Sequence, residues 1–287
     1  MNINKGIVYM LLASFMFAIM NVCIKFVKHL PVPEVMLFRA GIQLLLSLPV
    51  MYKQKLNISG NNTRLLLARG FTGTFALFCY VYTLQTMPLA SAMTLYYLAP
   101  IMTAILAKYI YKEYLLPVQW LFFALSFAGI VMVKGFDVRI DSFHFIVGIT
   151  GAVISGLSYN FVRQLGKTER PIVTVLYFPL VTFPVVLLIC FLGYWQTPTW
   201  TDLLWLALIG VTTQTGQIFL TLSYQHEEAN KVVIFSYVGI IYASGFGFFI
   251  FQETYPFWAV LGMCMVLAGV LMSALVKRKF TFGRKNP

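Results

Sequence analysis

The stretch 95–113, L-Y-Y-L-A-P-I-M-T-A-I-L-A-K-Y-I-Y-K-E, lines up without gaps on 235–253, F-S-Y-V-G-I-I-Y-A-S-G-F-G-F-F-I-F-Q-E. The offset is 140 residues, so Tyr97 pairs with Tyr237 and Glu113 with Glu253. The same register pairs Gly129 with Gly269 and Met132 with Met272. A one-residue slip earlier pairs Asn21, in M-N-V-C-I-K, with Asn160, in Y-N-F-V-R-Q. The chain therefore reads as two related halves. What that implies depends on the solvent in which the halves sit.

Of the 287 residues, 60% are hydrophobic, 16% aromatic and only 10% charged. Soluble domains carry about 25% charged residues, so this composition excludes an ordinary soluble enzyme or nucleic-acid-binding domain. The apolar residues fall in blocks of the ~20 residues a helix needs to cross a bilayer core. Ten such blocks are expected, at about 6–26, 34–52, 65–86, 91–111, 117–135, 143–163, 172–193, 202–224, 230–251 and 256–276. The reading is an all-α integral membrane protein. The first block lacks a small-x-small cleavage site leading into a soluble region, so it is expected to stay as a helix.

Five spans per half is an odd number, so the second half enters the membrane from the side opposite to the first. The duplication predicts two inverted five-helix repeats, 1–138 and 139–277, followed by a basic tail, 278–287. Inverted repeats are the usual construction of secondary transporters, which bind their substrate near the midplane between the halves. The repeat also duplicates small residues at every fourth position, Ala99, Thr103 and Ala107 against Gly239, Ala243 and Gly247. Such ladders let helices approach closely in lipid.

Charge gives the orientation. Of the 21 lysines and arginines, fifteen fall on the same side as the N-terminus if the chain crosses ten times. The positive-inside bias places both termini in the cytoplasm, in the cytoplasmic membrane of a cell. The tail K-R-K-F-T-F-G-R-K then meets anionic headgroups rather than nucleic acid. Trp195, Trp200 and Trp205 fit an interfacial belt on the other side. The sequons at Asn57 and Asn61 lie in an inside loop and are discounted as glycosylation sites. The four cysteines, Cys23, Cys79, Cys190 and Cys264, sit in four different spans without a C-x-x-C pair, which argues against a disulfide framework or a zinc site. No cofactor and no metal are expected.

The motifs M-P-L-A-S-A-M-T-L-Y-Y-L-A-P-I-M-T-A-I-L-A-K-Y-I-Y-K-E (87–113) with A-G-I-V-M-V (128–133), and L-F-R-A-G-I-Q-L-L-L-S-L-P (37–49), carry a resemblance over nearly the whole chain. The second-half counterpart is Y-V-G-I-I-Y-A-S-G-F-G-F-F-I-F-Q-E with A-G-V-L-M-S, at 237–253 and 268–273. The sequence resembles the drug/metabolite transporter superfamily, in its ten-span branch of two EamA-type domains. It departs from that pattern at Ile240, which stands where the first half has Pro100, and this puts the bend of the ninth span in question. The resemblance implies a central cavity enclosed by spans one, three, four, six, eight and nine, with spans five and ten supporting the fold or meeting another subunit. Either a monomer or a homodimer is compatible with it.

Polar residues inside the spans are the candidates for that cavity. Gln214, Gln217, Thr221 and Tyr224 stand at steps of three, four and three on one helical face, and lipid offers a glutamine no partner. Ser155, Tyr159 and Arg163 stand four apart in the sixth span, with Asn160 beside Tyr159. Facing candidates are Asn21, Tyr80, Thr83, Tyr97 and Tyr237. The alternative role for each is interhelical glue, worth about 0.6 kcal/mol per hydrogen bond. Arg39 and Arg69 fall within spans, where a charge costs at least ~2.5–3.5 kcal/mol at the centre. Arg69 could snorkel to the near interface. Arg39 could pair with Glu34 or cap a neighbouring helix, or either arginine could attract a substrate carboxylate or phosphate.

All nine carboxylates map to span ends or loops. A mid-membrane proton relay built on a carboxylate is therefore disfavoured, and facilitated diffusion or exchange is the simpler expectation. The expected function is a carrier of a small polar or zwitterionic metabolite. The resemblance implies an amino acid or derivative, a nucleoside-like compound such as S-adenosylmethionine, or a drug. A membrane enzyme acting on lipid would need a buried nucleophile with a base, a metal pair or clustered carboxylates. A lipid-carrier flippase is a third reading.

Overall fold

The computed structural model describes residues 5–53, 60–112, 115–166, 168–226 and 235–283. The described residues form helices and connections and no strand. In chain order the helices are α1 (Lys5–Phe26), α2 (Val32–Lys53), α3 (Thr63–Thr86), α4 (Leu89–Tyr96), α5 (Ala99–Tyr111), α6 (Pro117–Phe136), α7 (Ser142–Leu165), α8 (Pro171–Phe191), α9 (Trp200–His226), α10 (Val238–Phe251) and α11 (Phe257–Gly283). By length and composition eight segments can cross a membrane, with α4 and α5 together forming one of them. The remaining two of the ten expected spans correspond to shorter apolar helices, Val238–Phe251 and Phe257–Ser273.

Long apolar helices in lipid gain little by hiding leucines from one another, so small residues decide which helices touch. α6 and α11 run antiparallel, with Gly129 and Gly262 back to back. A Cβ on either glycine would lie 2.5 Å from the carbonyl oxygen of the other. Further along the same seam, the Gln119 amide donates to Ser273 at 3.4 Å. α3 and α7 run antiparallel with Gly151 against Cys79. α2 and α8 are antiparallel with Gly41 against the ring of Phe183. α1 and α9 are antiparallel too. Ser223 Oγ donates to Gly6 O at 2.7 Å near one end, and Phe26 stacks on Trp205 at 4.5 Å near the other.

Two neighbouring pairs run parallel. Gly156 of α7 lets the Thr103 backbone of α5 approach, and Asn160 Nδ2 donates to Thr103 O at 3.0 Å. In the second pair, Phe15 and Phe26 of α1 meet Tyr242 and Phe251 of α10. Every pairing agrees with alternating crossings of ten consecutive segments.

The fourth and ninth segments share a break. α4 stops at Tyr96, the chain turns through Tyr97 and Leu98, and α5 resumes at Ala99 with Pro100 in its first turn. Proline has no N–H and disfavours a helical residue before it, which accounts for that break. In the second half the chain also turns at Tyr237, with φ −69° and ψ −13°, and α10 starts at Val238. The bend survives Ile240. The residues that follow α5 and α10, Lys112 and Gln252, have left-handed φ of 55° and 52°. These matched residues are the positive-φ non-glycines among the described residues. At the second end, Glu253 N folds back across left-handed Gln252 and donates to Gly247 O at 2.9 Å, which satisfies a carbonyl of the last turn.

Candidate functional site

The two breaks meet at the centre of the bundle. The rings of Tyr97 and Tyr237 lie 5.0 Å apart. At the second break, Ile240 N turns to Tyr237 O at 3.0 Å, so Ser236 O loses its usual helical donor. That carbonyl instead accepts from the Tyr97 hydroxyl at 2.8 Å and Ser14 Oγ at 3.4 Å. Gly239 leaves the space in which the Tyr97 hydroxyl sits. A hydroxyl suits this position because a broken helix buried in protein leaves backbone groups that need a partner from a neighbouring helix.

A polar cluster extends from Tyr97 towards α3 and α7. The Tyr80 hydroxyl donates to Asn21 Oδ1 at 3.0 Å and approaches Met93 Sδ at 2.9 Å, while Asn21 Nδ2 reaches the same sulfur at 2.9 Å. The Tyr80 and Tyr96 rings are 4.4 Å apart, and the Tyr96 and Tyr159 hydroxyls share a 2.6 Å hydrogen bond. Tyr159 is 40% exposed, so this hydroxyl pair opens to the outside of the packed core. A crevice of about 10 Å³, room for one water, lies between Tyr80, Thr83, Tyr96 and Gly148. Asn21, Tyr80, Tyr97, Tyr159 and Tyr237 are thus brought together, with Thr83 on their edge.

Other candidates sit elsewhere. Asn160 is fully buried; its amide donates to Gly156 O one turn back in α7 and to Thr103 O, both at 3.0 Å, and the second bond ties α7 to α5. On α9, Thr212, Thr213 and Thr215 return their hydroxyls to carbonyls one turn back. Gln214 keeps a buried amide oxygen without a partner, and Gln217 is half-buried on the same helix. The side chains of Thr221 and Tyr224 lie outside the described residues.

The arginines depart from two of the simple expectations. Glu34 is not the partner of Arg39: its Oε2 accepts from Gln196 N at 3.0 Å. Arg39 is 6% exposed, its Nε and Nη1 are buried without a hydrogen-bond acceptor, and its guanidinium lies 6.0 Å from the Phe178 ring centre. Arg69 does not snorkel outward. It turns over the same ring at 5.1 Å, in the space left by Gly73, and its Nε is also buried without a partner.

A second polar centre closes one end of the bundle. The Glu253 carboxylate pairs with the Lys25 ammonium, accepts from the Tyr255 hydroxyl, and accepts from Leu89 N at 2.9 Å. It thereby caps the N-terminus of α4, where a negative charge is favourable. Lys25 also donates to Met87 O at 3.3 Å. Arg139 grips Asp137 with two 2.8 Å bonds and donates to Thr254 O at 2.8 Å. The Asp137 carboxylate holds Arg139 above the usual arginine range, and burial pushes the Tyr255 hydroxyl up, which keeps it a donor. The sequence reading did not single out Tyr96, Met93, Gln43 or this cluster. Tyr96 was within reach, being the other tyrosine of L-Y-Y.

The model of the EamA-like transporter family matches residues 4–135 and again 143–275. The chain belongs to the EamA-like transporter family. Over 278 residues it is 27% identical to the pseudopaline exporter CntI of Pseudomonas aeruginosa, covering 96% of this chain and 98% of that protein. Over 289 residues it is 27% identical to human solute carrier family 35 member G1, covering 95% of this chain and 79% of that one. A solved crystal structure superposes with a TM-score of 0.69 at 14% identity, covering 96% of this chain and 98% of that one, and so shares the fold. With its apolar helices, the family makes this chain a membrane protein.

Proposed function

We propose that the chain is a secondary transporter built from two inverted five-span repeats, carrying a small polar metabolite by alternating access. The observation that carries this reading is the meeting of two broken helices, Tyr97 against Tyr237, beside a cluster of hydroxyl and amide groups. Transporters place their sites where discontinuous helices cross the midplane. The inversion is supported by the pattern of helix contacts. Exchanging the five spans of one half for those of the other turns α1 against α9 into α7 against α3, and α2 against α9 into α8 against α3. Both members of each couple are present. The pairs α2 with α8 and α6 with α11 map onto themselves.

The relatives named as an exporter and a solute carrier support transport of a solute. An amino acid or derivative fits the tyrosine, asparagine and glutamine groups, and a nucleoside-like compound such as S-adenosylmethionine would use the same ring faces. Facilitated diffusion or exchange is the mode in keeping with the placement of the carboxylates. The membrane is the cytoplasmic one, with both termini inside. Proteoliposomes holding the full chain, preloaded with unlabelled metabolite, should accumulate the labelled form by counterflow. Tyr97→Ala should abolish that uptake, because Ser236 O then loses its 2.8 Å donor. Scrambling of labelled lipid without metabolite counterflow would favour the flippase reading instead.

A further inference from the structure

Arg39 and Arg69 approach the middle of the bundle from opposite ends. Arg39 lies seven residues into α2 and Arg69 six residues into α3, each roughly 10 Å along its helix at 1.5 Å per residue. α2 and α3 adjoin one another and run in opposite senses through the bundle. Both guanidinium groups come to rest against one ring, Phe178 of α8.

Among the described residues no carboxylate pairs with either arginine. The salt bridges found among the described residues are Lys25–Glu253, His29–Asp202 and Arg139–Asp137. The Arg39 charge interacts with the hydroxyls of Tyr80, Tyr96 and Tyr159, and the Arg69 charge with those of Tyr96 and Tyr159. Gln43, one turn from Arg39 and 2% exposed, also keeps a buried oxygen without a partner. Two cations therefore sit inside the bundle, Arg39 buried and Arg69 half-buried, each with a buried guanidinium nitrogen unsatisfied. A buried charge costs several kcal/mol unless it is paired. Glue would not need two charges, and a snorkelling arginine would not turn inward.

We infer that Arg39 and Arg69, with the Tyr96–Tyr159 hydroxyl pair, form the binding site for an oxyanion, so that the transported substrate is an organic acid with net negative charge. Planar guanidinium forks match carboxylate and phosphate oxygens, and the hydroxyl pair donates one further hydrogen bond. Phe178 and Tyr96 offer flat apolar faces to the carbon skeleton. The inference rests on the transporter reading and narrows its substrate class.

The test is thermal unfolding of the purified full-length protein at fixed ionic strength. The probes are succinate, citrate, glycerol 3-phosphate and inorganic phosphate, with serine as the neutral and lysine as the cationic comparison. At least one anion should raise the wild-type melting temperature, and serine and lysine should not. Arg39→Gln and Arg69→Gln should each weaken that anion roughly tenfold to a hundredfold, as expected for loss of a charge-assisted contact. Arg39→Lys should keep part of the affinity. Without ligand, both glutamine variants should melt at or above the wild-type temperature, because an unpaired buried charge has been removed.

Stabilisation by serine or lysine but by no anion would overturn the assignment and leave the transporter reading standing. So would an anion effect that survives both substitutions, or the absence of any anion effect. Glutamine variants that unfold at lower temperature without ligand would make the arginines structural and overturn it too. The transporter reading fails separately, if no solute of any charge shows counterflow.

Discussion

Glu253→Gln isolates the contribution of the charge that closes one end of the bundle. Glutamine has nearly the same shape and can still accept from Leu89 N, at 2.9 Å in the native protein. What it removes is the counter-charge of Lys25, whose side chain is 11% exposed against 9% for Glu253. Removing one partner of a buried pair costs ~3–5 kcal/mol because the other charge is stranded. The small residual exposure of both groups selects the lower figure, about 3 kcal/mol. At roughly 2–4 °C per kcal/mol for a chain of this size, the melting temperature should fall by about 6–12 °C. Lys25→Met alone should fall by a similar amount. The double variant Lys25→Met/Glu253→Gln has no stranded charge and should recover at least about 2 kcal/mol relative to the sum of the two. The assay is thermal unfolding of purified protein in one detergent, followed by intrinsic tryptophan fluorescence. Additive effects, within about 0.5 kcal/mol, would refute the pairing as the element that holds this end closed.

Three other outcomes follow from the packing. Gly129→Leu drives a side chain into Gly262 O, 2.5 Å from the new Cβ, and should destabilise the α6–α11 pair by about 1–3 kcal/mol, read as a lower melting temperature. Gly239→Ala puts a methyl where the Tyr97 hydroxyl sits and should lower counterflow while the protein remains folded by circular dichroism. Asn160→Ala loses the 3.0 Å bond to Thr103 O that joins α7 to α5 and the 3.0 Å bond to Gly156 O within α7. It should cost about 1–3 kcal/mol of stability and leave transport intact, whereas Asn21→Ala should lower transport.

The spans were legible because apolar runs of bilayer length have few other uses, and the fold class followed from them. The break at Tyr97 was legible in Pro100. The break at Tyr237 was not, because Ile240 carries no backbone signal of its own. There the turn is held by groups from other helices, Tyr97 above all. Expecting Arg39 to pair with Glu34 ignored helical geometry: five residues turn through about 140° from face to face, so Glu34 reaches Gln196 instead. Met93 carries no polar signal in the sequence, although its sulfur lies 2.9 Å from both Asn21 Nδ2 and the Tyr80 hydroxyl. Lys25 and Glu253 lie 228 residues apart, and no local pattern joins them. On α9, Gln214 and Gln217 are half-buried, the side chains of Thr221 and Tyr224 lie outside the described residues, and three neighbouring threonines serve their own helix.

The most direct test of the carrier is counterflow in proteoliposomes, using labelled amino acids, organic acids and phosphate esters, on the wild type and on Tyr97→Ala, Tyr80→Phe and Asn160→Ala. The expected result is saturable uptake of at least one compound, lost in Tyr97→Ala, reduced in Tyr80→Phe and retained in Asn160→Ala. Uptake that matches protein-free liposomes, or that all three variants leave unchanged, would contradict a transport path through the centre of the bundle.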